Sequence, residues 1–244
     1  MKKNKEPILP SDFAVPYYEI PYDRFFQFGH SVDCVIFGFQ QGVLKVLLIK
    51  RGAPPFLGKW ALPGDLVYPN EPIDTAAERI LFDLTGVDGL FLSQTKTYGE
   101  VDRHPVGRVV TTAYFSLIDI SKHESHASGW ADGIKWVDIE QIQSLAFDHL
   151  DILKDALEIL KAQIKREPIA FKLLPEKFTL GELQDFYEAL LGQSFDKANF
   201  RKKFLSLNVL NDTQELQQDV PHRPGKLFKF DSKKIKSNDF AFEI

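Results

Sequence analysis

The sequence predicts an α+β protein, an α/β/α sandwich followed by a C-terminal winged helix-turn-helix. Three observations predict it. Apolar strand-like runs surround one short helix over the first part of the chain. An apolar seam at helical spacing follows, formed by Leu150, Leu153, Leu157, Leu160 and Ile164. The C-terminal part then reads helix, turn, basic helix, hairpin. The expected layout is an aromatic-rich segment at 1–27, the sandwich at 28–145 and a linking helix at 146–167. The winged helix follows at 168–231, with a tail at 232–244.

The elements follow in order. VDCVIFGFQQGVLKVLLIKR, residues 32–51, reads as two strands around a Gln-Gly turn. The Pro- and Gly-rich RGAPPFLGKWALPGD reads as loop. Residues 75–84 read as helix, with Asp74 or Thr75 as N-cap and Gly86 as terminator. Further strands are expected at 89–97, 109–118 and 134–137. The seam fits packing on the sandwich or on a second subunit, and Pro168 and Pro175 mark a boundary beyond it.

FTLGELQDFYEALLG opens with Thr179 and Glu182 spaced as a capping box and closes at Gly192. Phe178, Leu180, Leu183, Phe186, Tyr187, Leu190 and Leu191 form its apolar stripe. Asp196 can cap the next helix, KANFRKKFLSL, which is expected to turn Phe200, Phe204, Leu205 and Leu207 inward. Hairpin strands at 209–211 and 226–230 complete the unit.

Composition bounds the setting. The 244 residues are 44% hydrophobic with 21 Phe, enough for sizeable cores. No apolar run reaches membrane-spanning length, and the charged MKKNKEPILP has no hydrophobic segment behind it, so neither a membrane partner nor a secretory signal is expected. The single Cys34 excludes an internal disulfide and suits a reducing compartment, with the cytoplasm expected. The net charge of −4 divides unevenly, into an acidic front and a mildly basic back. A polyanionic partner would therefore meet the C-terminal part.

That partner is expected to be double-stranded DNA. A recognition helix must be short, amphipathic and basic or amide-rich on its exposed face. Lys197, Asn199, Arg201, Lys202 and Lys203 supply such a face. Thr179 at the head of the preceding helix, and His222, Arg223 and Lys226 in the hairpin, are the other candidate contacts. A dimer reading two half-sites would compensate for a modest basic excess. The alternative is an interaction protein whose basic helix is merely solvated.

Residues 64–87, GDLVYPNEPIDTAAERILFDLTGV, carry the frame of the Nudix box, Gly-x5-Glu-x7-Arg-Glu-U-x-Glu-Glu-x-Gly-U with U aliphatic. Gly64, Glu71, Arg79 and Gly86 fall on it, with one extra residue in the first loop. The three catalytic Glu positions hold Ile80, Asp83 and Leu84, which share a helix face. Magnesium-dependent diphosphate cleavage needs several oxygen ligands there, and Ile and Leu offer none. The chain is expected not to be an enzyme and to need no cofactor or metal. The alternative is an active hydrolase with an appended module, using Asp83, Glu78 and Glu71 as a rearranged metal set.

Beyond the box, GKWALPGD, YGEVDRHPVGRVV, LAFDHLDIL, FKLLPEKFTLGELQDFYEALLG, FDKANFRKKFL and HRPGKLFKF extend a resemblance over about residues 28–231. The chain resembles the Nudix-related transcriptional regulators, typified by the repressor of NAD metabolism and by an arabinose-responsive branch. The resemblance implies a Nudix-like effector domain, a linking helix, a winged helix and a homodimer on palindromic operators. It also implies a small-molecule effector that shifts the dimer between DNA-competent and incompetent arrangements. Asp65 replaces a second Gly, and Val106 replaces an Arg found in NAD-related members. Losing that cation favours a neutral pentose such as arabinose over ADP-ribose, the alternative. The candidate effector contacts are Asp33, Arg51, Trp60, Asp65, Asp102, Arg103, His104 and Arg108. His149, in AFDH, reads as a hydrogen-bonding residue between domains.

Overall fold

A computed structural model describes residues 28–40, 42–218, 221 and 223–234. The expected aromatic-rich segment at 1–27, most of the tail and His222 lie outside the described residues.

The apolar hairpin reading holds. β1 (Gly29–Gln40) and β2 (Val43–Arg51) pair antiparallel, with Phe37 opposite Val46. Gly42 enters β2 at φ 76°, a left-handed conformation that suits glycine. β1 lies at the centre of a seven-stranded sheet, because both its faces are apolar. β4 (Gly64–Leu66) pairs with β1, while β3 (Trp60–Ala61) and β7 (Ala131–Asp138) pair with β2. β6 (Val109–Ile118) runs parallel to β1 and carries β5 (Ser93–Tyr98) at the edge.

Strand alternation sends side chains to two cores. Val32, Cys34 and Ile36 face α1 (Ile73–Thr85), whose Ala76, Ala77, Ile80, Leu81 and Leu84 fill one side. Val35 and Phe37 face α2 (His149–Ile164) on the other. Together these make the expected α/β/α sandwich.

Three local expectations are corrected. α1 starts after Pro72 without a side-chain cap, since the Asp74 carboxylate accepts from the Tyr114 hydroxyl instead. Gly86 does end it, at φ 70° with its N–H on the Phe82 carbonyl. The buried stripe of α2 is His149, Ile152, Leu153, Ala156, Leu160 and Ile164, rotated from the expected seam, so Leu150 and Leu157 are only half-buried. That stripe packs on the sandwich. In the winged helix Leu205 is 52% exposed rather than inward, because Phe200 and Phe204 already fill the face below.

The winged helix assembles as β8 (Phe178–Thr179), α3 (Leu180–Leu191), α4 (Lys197–Ser206), β9 (Leu210–Leu216) and β10 (Lys226–Phe230). Its sheet runs β8-β10-β9. The Thr179–Glu182 capping box forms reciprocally and Gly192 closes α3 at φ 66°. Asp196 caps α4 by accepting from the Asn199 N–H at 2.9 Å. The core is continuous across the two units: Phe39 of β1 meets Phe186 of α3 edge-on at 4.8 Å.

Candidate ligand pocket and nucleic-acid interface

The Nudix-box helix presents no carboxylate cluster. Ile80 and Leu84 are buried in the core beneath the sheet, and only Asp83 of the three positions reaches solvent. Glu71 grips Arg79 through both oxygens, at 2.9 Å to Nε and 2.5 Å to Nη2, and also accepts from the Tyr68 N–H. The Arg79 hydrogen bond holds the Glu71 carboxyl below the ordinary range. Asp83 completes the bracket at 3.5 Å from Arg79 Nη1. Glu78 faces a different groove, with Phe82 and Phe91. Among the described residues, no group of three or more His, Cys, Asp or Glu side chains is placed to hold a metal ion. The magnesium of Nudix hydrolases therefore does not fit this helix: two ligand positions are hydrocarbon, Glu71 and Asp83 are spent on Arg79, and Glu78 lies in another groove.

A cavity of about 450 Å³ opens nearby, at the ends of β1, β2 and β4. Asp33, Arg51, Asp65, Arg103 and His104 line it, so five of the eight expected effector contacts come together. The other three do not. Trp60 lies outside, with the Lys135 ammonium 3.9 Å above its ring. Asp102 is exposed in a turn, and Arg108 reaches back to the Gly99 carbonyl at 2.6 Å. Val106, 77% exposed, stands at the mouth.

Two aromatic residues that the sequence does not mark as pocket residues shape it. Trp130 donates from Nε1 to Asp65 at 2.8 Å, so Asp65 serves as an anchor for that ring. The Arg51 guanidinium lies 4.7 Å from the Trp130 ring and 4.9 Å from the Phe147 ring, held by both. His104 stacks on Phe147 at 5.2 Å and 13°. Phe147 adopts φ 53°, a left-handed conformation that no pattern in the sequence signals for a phenylalanine. Its neighbours in AFDH are the one cue that could have found it.

The floor is a buried ionic network. The Arg103 side chain is 3% exposed and fixed by Asp148 at 2.6 and 2.8 Å, with Asp33 at 3.4 Å from its Nη2. Asp33 also accepts from the Thr111 hydroxyl at 2.8 Å. His149 accepts the Leu62 N–H on Nδ1 at 3.0 Å, which leaves the proton on Nε2, 3.3 Å from Asp33. His149 thus ties α2 to the sandwich, where a bond between domains was expected. Burial alone would raise the Asp33 carboxyl; the facing His149 and Arg103, with Thr111, outweigh it and hold it below the usual carboxylate value. Burial lowers the His104 pKa, and the nearby Arg103 and Arg51 add to the shift while Asp33 opposes it.

Arg51 differs from Arg103. It is 9% exposed, its Nε donates to the Pro55 carbonyl at 2.6 Å, and it forms no ion pair among the described residues. Its pKa is lowered by burial, against the attraction of Asp65 and Asp33. A desolvated cation with a free fork suits an anionic ligand group.

On α4, Lys197, Asn199, Arg201 and Lys202 are exposed and Lys203 half-exposed, a continuous basic face over the buried Phe200 and Phe204. Thr179 departs from its expected role. It is buried, and its hydroxyl accepts the Glu182 N–H at 3.1 Å and donates to the Glu182 carboxylate at 3.0 Å, so a phosphate contact would break the cap. Lys226 pairs with Asp212 at 3.1 Å across the hairpin, and Arg223 is exposed beside it.

Two family descriptions match the chain: the NUDIX domain over residues 27–156 and the NrtR DNA-binding winged helix domain over 170–230. The ADPR responsive transcriptional repressor NtrR of Acinetobacter baylyi is 34% identical over 216 residues, 87% of this chain and 84% of that protein. The structure is similar to Shewanella oneidensis NrtR complexed with a 27mer DNA, with a TM-score of 0.68 at 30% identity over 84% of this chain and 94% of that one. It is also similar to the isolated NUDIX domain of that Shewanella protein complexed with ADP ribose, with a TM-score of 0.54 at 30% identity over 63% of this chain and 99% of that one. Nothing in these similarities supports the arabinose-responsive branch. No helix among the described residues is long and apolar enough to cross a membrane. With a Nudix domain and an NrtR winged helix in series, and a relative matched along most of its length, the chain belongs to the NrtR family of Nudix-related transcriptional regulators.

Proposed function

We propose that this protein is an ADP-ribose-responsive transcriptional repressor that binds its operator as a homodimer through α4 and does not hydrolyse its effector. The observation that carries the effector reading is Arg51, a buried arginine with no ionic partner among the described residues, in the wall of a ligand-sized cavity. It offers from β2 the cation that Val106 does not supply. A neutral pentose would leave that charge desolvated and unpaired, and would occupy only a fraction of the cavity. A diphosphate offers the paired oxygens a guanidinium favours, and the Trp130 and Phe147 rings fix the fork in place. The Acinetobacter relative is named as ADP-ribose-responsive and the Shewanella NUDIX domain binds ADP ribose, which supports the same ligand here. Hydrolysis would need oxygen ligands where Ile80 and Leu84 stand.

The effector acts by binding the DNA-incompetent arrangement more tightly, which shifts the population away from the operator. The test is fluorescence anisotropy of a duplex that the protein itself enriches from a random pool, titrated with ADP-ribose or arabinose. Release by ADP-ribose alone is expected. Release by arabinose alone, or binding that neither molecule alters, would contradict the reading.

A further inference from the structure

We infer that Arg103 and Asp148 form a latch that passes occupancy of the pocket to α2 and from there to the winged helix. The inference rests on the ADP-ribose reading and adds the regulation of that site.

Asp148 stands immediately before α2, where an aspartate would ordinarily cap the helix with its carboxylate. Here it makes no side-chain cap. Both oxygens turn away to the pocket wall, onto Arg103 Nε at 2.8 Å and Nη2 at 2.6 Å. The first residue of the helix, His149, is likewise held to the wall through Asp33 and Leu62. The start of α2 is therefore fixed by the pocket and not by its own cap.

The far end of α2 leads towards the winged helix. Its buried stripe ends at Ile164, and the short turn Pro168–Lys172 packs back on the helix. From that turn the Phe171 ring stacks on Phe230 of β10 at 4.1 Å and meets Phe178 of β8 at 5.5 Å. A change at Asp148 has a packed route to the wing.

Arg103 lines the cavity, and the donors it gives to Asp148 are those a phosphate would take. Asp148 thus has two alternative partners, Arg103 when the pocket is empty and the N–H groups of its own helix when a ligand holds Arg103. An element with two discrete arrangements is what coupling requires. Because ligand and Asp148 compete for one guanidinium, weakening the Asp148 side must favour ligand and disfavour operator, by linkage.

The test is Asp148→Asn, with Asp148→Ser as a second variant that still caps a helix but cannot form the ion pair. Calorimetry with ADP-ribose and anisotropy with the selected duplex are run on the full chain. Expected is ADP-ribose binding tightened by about fivefold or more and operator binding without effector weakened by a similar factor. Opposite signs separate a latch from simple damage, which would weaken both. Both affinities unchanged, or both reduced, would overturn the latch. If the wild-type protein fails to bind ADP-ribose, the effector reading falls by itself. The latch is then decided on ligand-free protein. Slower amide exchange at 150–151, where the released side chain caps the helix, with weaker operator binding in Asp148→Asn supports it. Wild-type or faster exchange, or unchanged operator binding, overturns it.

Discussion

Asp33 and Gly64 face each other as register partners of β1 and β4, and the Asp33 carboxylate fills the space that a Cβ on Gly64 would occupy. The first glycine of the Nudix frame is thus the residue that lets a buried carboxylate lie flat under the cavity. Gly64→Ala must push Asp33 off Thr111, His149 or Arg103. Thermal or urea denaturation should show a loss of about 1–3 kcal/mol, the range for overpacking a filled site. An unchanged midpoint would mean that the floor is looser than these distances imply.

The same carboxylate sets an acid limit. Its folded pKa lies below the ordinary value of 3.8, so its contribution to stability is complete above that value and is lost as pH falls through the lower folded pKa. Asp33→Asn should be destabilised at neutral pH, and its deficit should shrink as wild type protonates below about pH 4. Melting curves from neutral to acid pH test this; a deficit that stays constant to the acid end would assign the effect to packing.

Thr179 provides a check on the nucleic-acid face, since its hydroxyl is committed to a helix cap. Thr179→Ala should destabilise the protein by about 0.5–2 kcal/mol, with no change in the salt dependence of DNA binding. A reduced salt slope at unchanged stability would return Thr179 to the interface.

Arg201 and Lys203 should behave oppositely. Replacing each by Gln should leave melting nearly unchanged and lower the slope of log K against log salt by about one unit for each phosphate the side chain neutralises. Lys226, already paired with Asp212, should cost less. Equal salt slopes for wild type and the double variant would leave α4 a solvated face.

Much of this architecture was legible in the chain. Apolar runs in β1 and β6 and the Thr179–Glu182 and Gly192 punctuation are local signals, and they survive folding because nothing in the tertiary structure opposes them. The features that sequence concealed were set by distant partners. Asp74 was lost as a cap to Tyr114, and Leu205 was left outside by Phe200 and Phe204. The pocket was half legible for a similar reason. Polar residues flanked by strand and turn signals, such as Asp33, Asp65 and Arg103, stood out. Trp130 and Phe147 carry no such mark until the fold sets Arg51 against both rings. Val106 as a lost cation pointed to a sugar although Arg51 was among the expected contacts, because sequence cannot show that Arg51 is buried in the cavity wall with no ion pair among the described residues.

The central claim is that Arg51 holds the anionic part of an ADP-ribose ligand. Calorimetry of ADP-ribose, adenosine and arabinose against wild type and Arg51→Gln tests it most directly. Binding of ADP-ribose to wild type, weakened about tenfold or more in Arg51→Gln at an unaltered fold, is the predicted result, in line with removal of a charge-assisted hydrogen bond. Equal ADP-ribose affinity in both proteins, or arabinose binding that survives the substitution, would contradict it.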